Sequence, residues 1–176
     1  YNVTDLRTGE ILSTKIGVPR DLAVSVRRNG VYQMAEIDPR FRTYYIADEV
    51  ICENLTARML KAFGLSLGLA TNLAGSAAYS PEELRSPEFT QKYGITASVM
   101  DNVLYNYLAQ PGDKEKGVVL IVDKPGVCDA FTLKYLYAAT SENESDMLKK
   151  WAMEHDGDPR YFYGKRSPAY ATDPRC

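Results

Sequence analysis

The sequence predicts an α+β domain dominated by helix. Three observations carry this prediction. Apolar residues recur every three or four positions through several long segments, the period of a helix buried on one side. Alternating, strand-like stretches are few and short. Serine and proline punctuate the chain where helices would start, in "SPEELRS" and "SPEFTQKYG". A chain of 176 residues fits one domain, 1–176.

The elements follow in order. "TGEILSTKIGV" (8–18) opens with a turn and alternates weakly, as a strand does. Pro19 suits the first turn of a helix that places Leu22, Val26, Met34 and Ile37 on one side, weakened by Gly30. "DPRFRTYYI" reads as a connector or short strand. The strongest helix covers about 48–68. Val50, Ile51, Leu55, Met59, Leu60 and Phe63 form its apolar set, and Asp48 and Glu49 favour its N-terminal dipole. Gly64 and Gly68 weaken its end, and Gly68 reads as its stop. Residues 70–97 form a long, mostly irregular segment carrying two short capped helices, and such a segment is commonly functional or wraps the core. "ITASVMDN" reads as a strand entering a tight turn, and "KGVVLIVDKPG" as a further strand. "DAFTLKYLYAA" and "SDMLKKWAMEH" are amphipathic helices, and the tail after them is irregular.

Composition excludes several classes. Hydrophobic residues at 45% and charged residues at 25% are ordinary for a soluble domain with a real core. A net charge of −2 supplies no basic face for nucleic acid. No apolar run approaches about 18 residues, so no membrane span is predicted. The chain opens on "YNVTDLRTGE" and ends on "TDPRC", which reads as an excerpt of a longer protein. Cys52, Cys128 and Cys176 are widely separated and form no CxxC pair, so they read as structural or incidental thiols, with one bridge still open.

The stretch "MLKAFGLSLGLATN" (59–72) carries the functional question. A metzincin zinc site reads H-E-x-x-H-x-x-G-x-x-H. Two histidines four apart share a helix face, the glutamate serves as general base, and the glycine ends the helix so that a third histidine returns to the ion. A methionine turn follows further on. On that frame Lys61 holds the first ligand position, Ala62 the glutamate position, Leu65 the second ligand position and Thr71 the third. Gly68 falls on the turn glycine, and "SVMD" (98–101) on the methionine turn, with Met100 as its methionine.

With these blocks the chain resembles large bacterial zinc-dependent metallopeptidases of metzincin type, found in secreted and envelope proteins. Their site region runs roughly HEVGHTLGLxHN, followed by a stretch like LRSxxFTQKYGxxxSIMDYxxxNYVAQP. This chain has "LGLATNLAGSAAY" and "LRSPEFTQKYGITASVMDNVLYNYLAQPGD". "RTGEIL", "DPRFRT", "DEV" and "KWAMEHDGDPRYFYG" match in order as well. The resemblance implies a metallopeptidase-like domain truncated at both ends, a zinc cofactor for the family, and a location in the cell envelope or outside the cell.

The departures define the expected function. A catalytic zinc site takes three protein ligands and an open position. Lys61 is protonated at neutral pH and Leu65 has no donor atom. We therefore expect no zinc or other cofactor, no catalytic residues, and a pseudopeptidase. It would bind peptide, protein or glycan in a remnant cleft, or serve the flanking domains of its parent protein structurally. The alternative is a hydrolase whose site is rebuilt, or completed by residues outside this chain. A binding domain would keep an open groove beside Leu65, whereas a purely structural one would have Lys61 and Thr71 covered.

Each singled-out residue has a plainer reading. Leu65 fits the apolar face of a core helix. Lys61 is either a solvated residue or a charge placed in the vacated metal position, near a cleft carboxylate. Lys61, Thr71, Asn72 and Tyr105 are the candidate cleft residues; Tyr105 and Tyr107 serve equally well in packing. Gly68 and Met100 are structural. His155 in "MEHDGD" reads as a surface or capping residue. Asp101, Glu53 and the cysteines match no metal spacing. "NLT" (54–56) fits a glycosylation sequon but lies mid-helix, where it carries no meaning.

Overall fold

The computed structural model describes residues 1–139 and 143–164. A hairpin of β1 (Asn2–Thr4) and β2 (Ile11–Thr14) comes first, followed by helix α1 (Leu22–Met34). Helix α2 (Asp48–Ser66) is the longest element. Two short helices, α3 (Pro81–Leu84) and α4 (Pro87–Tyr93), lead into an irregular stretch. Helices α5 (Val127–Tyr137) and α6 (Glu144–Glu154) close the described part. The fold is α+β, with its described helices outweighing a two-stranded antiparallel sheet.

Local chemistry accounts for most of these elements. Ser80 caps α3 in a full capping box with Glu83, and Ser86 caps α4 by accepting from Phe89 N at 3.3 Å. Pro81 and Pro87 occupy the first turns, where a missing N–H costs nothing. "DPRFR" forms neither a strand nor an open connector. It is a 3₁₀ turn, Pro39–Arg42, in which Asp38 accepts from Arg40 N at 3.0 Å. "DPRYF" repeats the device at Pro159–Tyr161, where Asp158 accepts from Arg160 N at 3.0 Å.

Two strand expectations are corrected. Residues 95–102 form an irregular turn, buried as far as Asp101, and residues 118–123 form no strand, carrying the isolated bridge Tyr105–Ile121 and a bond from Val119 N to Thr90 Oγ1 at 3.1 Å. Val118, Leu120, Ile121 and Val122 are buried, so this continuous apolar run is core without a ladder. The tail beyond 164 and Cys176 lie outside the described residues.

The core explains the glycines that weaken the helical pattern. Gly30 is buried in α1, and a Cβ there would overlap the Phe41 ring. Phe41 in turn meets Tyr105 edge-on at 6.0 Å. Leu22, Val26 and Met34 are buried as their spacing predicts. On α2 the buried positions are Val50, Asn54, Ala57 and Gly64, so the helix turns a partly polar and small-residue stripe inward. Phe63, expected inside, is 52% exposed.

The buried carboxylates Asp38 and Asp113 both have charged partners. The fully buried Asp38 carboxylate accepts from Arg40 and from Lys114 at 2.6 Å, and Arg40 continues to Glu53 at 2.8 Å. This ties the 3₁₀ turn to α2 and to the 110–117 loop. Asp113 does the same for α3, pairing with Arg85 at 2.8 Å and accepting from Gln110 N at 3.0 Å.

Candidate functional site: a methionine turn closed by lysine

Lys61, one turn before the end of α2, continues the inward stripe Val50–Asn54–Ala57 at a spacing of four and three residues. It is half-buried. Its ammonium donates to Asp101 O at 2.9 Å and to Asn102 Oδ1 at 2.8 Å. Burial pushes its pKa below the ordinary lysine value, opposed by the Asp101 carboxylate. Lys61 is thus not a freely solvated surface residue. It joins the helix to the turn 40 residues further on.

That turn is held from several sides. Gly64 lies against Met100, and a Cβ there would overlap Met100 Sδ. Met100 is 1% exposed and packs under the helix. Met100 O accepts from Asn72 N at 3.3 Å. Asp101 Oδ2 accepts from Ser76 N at 2.7 Å, and its Oδ1 accepts from Asn102 N at 2.6 Å. From α5, the buried Asp129 carboxylate accepts from Ser98 Oγ at 2.6 Å, Val99 N at 2.7 Å and Gly126 N at 2.9 Å. Sequence reasoning misses Asp129, because a lone Asp in an amphipathic helix carries no pattern. The one signal is its place in the first turn of α5, where an acidic side chain caps free N–H groups.

Gly68 has φ +84°, a left-handed conformation that lets α2 stop and the chain turn back. Leu69 N donates to Gly64 O at 3.0 Å across that turn. The helix end is also held by other elements: Asn2 Nδ2 donates to Leu65 O at 2.7 Å, and Tyr137 OH to Leu67 O at 2.7 Å. Between them lies a cavity of about 700 Å³, lined by residues of the hairpin, Ser66–Gly68, Leu136 and Tyr137.

The candidate cleft residues are not brought together there. Neither Lys61, Thr71, Asn72 nor Tyr105 lines that cavity. Tyr105 is fully buried, donates to Asn54 Oδ1 at 2.6 Å, and has its phenol pushed up to about 12 by burial. Asn72 is a buried clasp. Its Oδ1 accepts from Ala74 N at 3.1 Å and Gly164 N at 2.9 Å, and its Nδ2 donates to Phe162 O at 3.1 Å. Thr71 is half-buried. Tyr107 is exposed, and its hydroxyl donates to Gln33 on α1. Leu65 is 44% exposed and so is not the core residue its neighbours suggest.

The remaining candidates separate cleanly. Asn54 is fully buried, which closes the sequon to any glycan. Cys52 is exposed, Cys128 is buried, and both are free. His155 ends α6, stacks on Tyr161 at 3.8 Å and meets Phe131 edge-on at 4.9 Å, so it is an aromatic packing residue rather than a bare surface one.

A helix ending in a left-handed glycine above a buried methionine turn defines a metzincin-like architecture. Residues 45–176 match the Met-zincin family model, and the chain belongs to that family. No curated protein and no solved structure matches the chain. The family implies zinc, but the donor set here does not fit it. Leu65 has no donor, Ala62 no base, and the Lys61 ammonium already gives two protons to protein oxygens. Among the described residues, no group of three or more His, Cys, Asp and Glu side chains is placed to hold a metal ion.

Proposed function

We propose that this chain is a non-hydrolytic Met-zincin domain, with a binding or structural role in place of zinc-dependent peptide cleavage. The observation that carries this reading is the ammonium of Lys61 at the first ligand position, hydrogen-bonded to Asp101 O and Asn102 Oδ1. A protonated amine repels a divalent cation and cannot ligate it. With no metal-bound water and alanine at the base position, hydrolysis of the family's kind has no nucleophile. The role left to the domain is recognition of peptide, protein or glycan, or support of neighbouring domains, in the cell envelope or outside the cell. The solvent-open cavity at the end of α2 is the place where such a ligand would sit.

Reversion tests the reading. Lys61→His, Ala62→Glu, Leu65→His and Thr71→His together restore the family's ligand set. The quadruple variant is expected to bind close to one zinc by calorimetry, while the unmodified chain binds none and leaves a peptide library uncut. A folded quadruple variant without zinc affinity would show that the motif has been laid on the wrong residues. Chelator-sensitive cleavage by the unmodified chain would overturn the non-hydrolytic reading.

A further inference from the structure

The misfit between family and donor set has a positive side. Lys61 lies on the inward stripe of α2, is half-buried, and spends two of its three ammonium protons on the turn that follows Met100. We propose that the Lys61 ammonium is a built-in cation that fastens α2 to the methionine turn, so that this region assembles without any metal. The inference rests on the non-zinc reading above but tests a separate property, the metal-free rigidity of the turn.

The geometry supports it at both ends. On the turn side, the Asp101 carbonyl acceptor is fixed in advance. Asp101 is held by Ser76 N and by Asn102 N, and the residues before it by Asp129. A donor arriving from α2 therefore meets a carbonyl that needs little ordering, and orders the exposed Asn102 side chain as its second acceptor. On the helix side, Gly64 lets the turn approach α2 closely enough for a lysine one turn earlier to reach it. The charge is also suited to its setting. The ammonium is met by a carbonyl, an amide oxygen and the nearby Asp101 carboxylate, which offset part of its desolvation, although burial still holds its pKa below the ordinary lysine value. A half-buried lysine without such partners would be costly to the fold.

The test compares the unmodified protein with Lys61→Met, which keeps length and loses charge, with and without EDTA and with added zinc. Removing charge-assisted hydrogen bonds in a chain of this size is expected to lower the Tm by about 4–8 °C. Amide exchange at Met100–Asn102 should accelerate at least about tenfold, while EDTA and zinc leave the unmodified protein unchanged. Asn102→Ala removes one acceptor and serves as a milder second variant. It should lower the Tm when made alone and do nothing further when combined with Lys61→Met. An unaltered Tm and unaltered exchange in Lys61→Met would overturn the proposal, as would an equal cost of Asn102→Ala alone and in that combination. Loss of Tm in the unmodified protein on EDTA treatment would overturn it too, by showing a metal at work. Zinc found by elemental analysis would count against the non-zinc reading, whereas an indifferent Lys61→Met in a zinc-free protein would count against the fastening role alone.

Discussion

Glycine at position 64 illustrates how a residue chosen for contact differs from one chosen for propensity. Alanine is the better helix former by about 1 kcal/mol. Yet a Cβ there would overlap Met100 Sδ, in a region where both residues are buried. Gly64→Ala is therefore expected to destabilise by about 1–3 kcal/mol, read as a lower urea midpoint. Gly68→Ala meets Ile11 only at ordinary contact distance but must hold φ +84°, and should cost about 1–2 kcal/mol for that reason. If Gly64→Ala proves stabilising, Met100 does not lie against the helix as described. The sequence marks Gly68 correctly as a stop but presents Gly64 as a weakness, because only the distant methionine turn shows what the missing side chain makes room for. Lys61 is similar: its position in the motif is legible, its partners Asp101 and Asn102 are not.

At the scale of elements, the helices are legible, and so is β2, which falls inside the strand expected over 8–18, whereas the strands expected at 95–102 and in "KGVVLIVDKPG" do not form. The periodic runs over α1, α2, α5 and α6 and the Ser-Pro starts of α3 and α4 carry local signals of type and boundary. The run "VVLIV" carries composition only. It is held in place where Asn106 N donates to Leu120 O and Val122 N to Leu104 O, long-range pairings with no local mark. The inward face of α2 is hidden for a related reason: Asn54 is buried because Tyr105 donates to it, and Phe63 is exposed because the stripe runs through Gly64. Asp129 is the element-scale contact with the sharpest consequence, since it joins α5 to the methionine turn. Asp129→Asn places an NH₂ among donors from Ser98, Val99 and Gly126, and should cost about 2–4 kcal/mol by denaturant unfolding. Ser98→Ala, which leaves the carboxylate its backbone donors, should cost less. Equal effects would mean that the hydroxyl rather than the carboxylate holds the turn.

For the whole molecule, buried carboxylates set the response to acid. The Arg85 hydrogen bond holds the Asp113 carboxyl well below the usual carboxylate range, against the effect of burial. Burial would raise Asp38, but its bonds from Arg40 and Lys114 outweigh that and hold it low. Both groups are depressed in the folded state, so their stabilisation is present above the unfolded carboxylate value of about 3.9 and fades as pH falls through the folded values. Stability should be flat from neutral pH to about 5 and fall steeply below about 4. Asp113→Asn should lower the plateau by about 2–3 kcal/mol and flatten the acid limb. An unchanged acid limb in Asp113→Asn would show that Asp113 does not set the response to acid. Whether the site holds zinc is decided by the metal content of the purified, unmodified protein, by elemental analysis after dialysis against trace zinc. Less than about a tenth of an equivalent is expected, because no set of three ligands is offered among the described residues. A content close to one zinc per chain would contradict it and return the chain to the hydrolases.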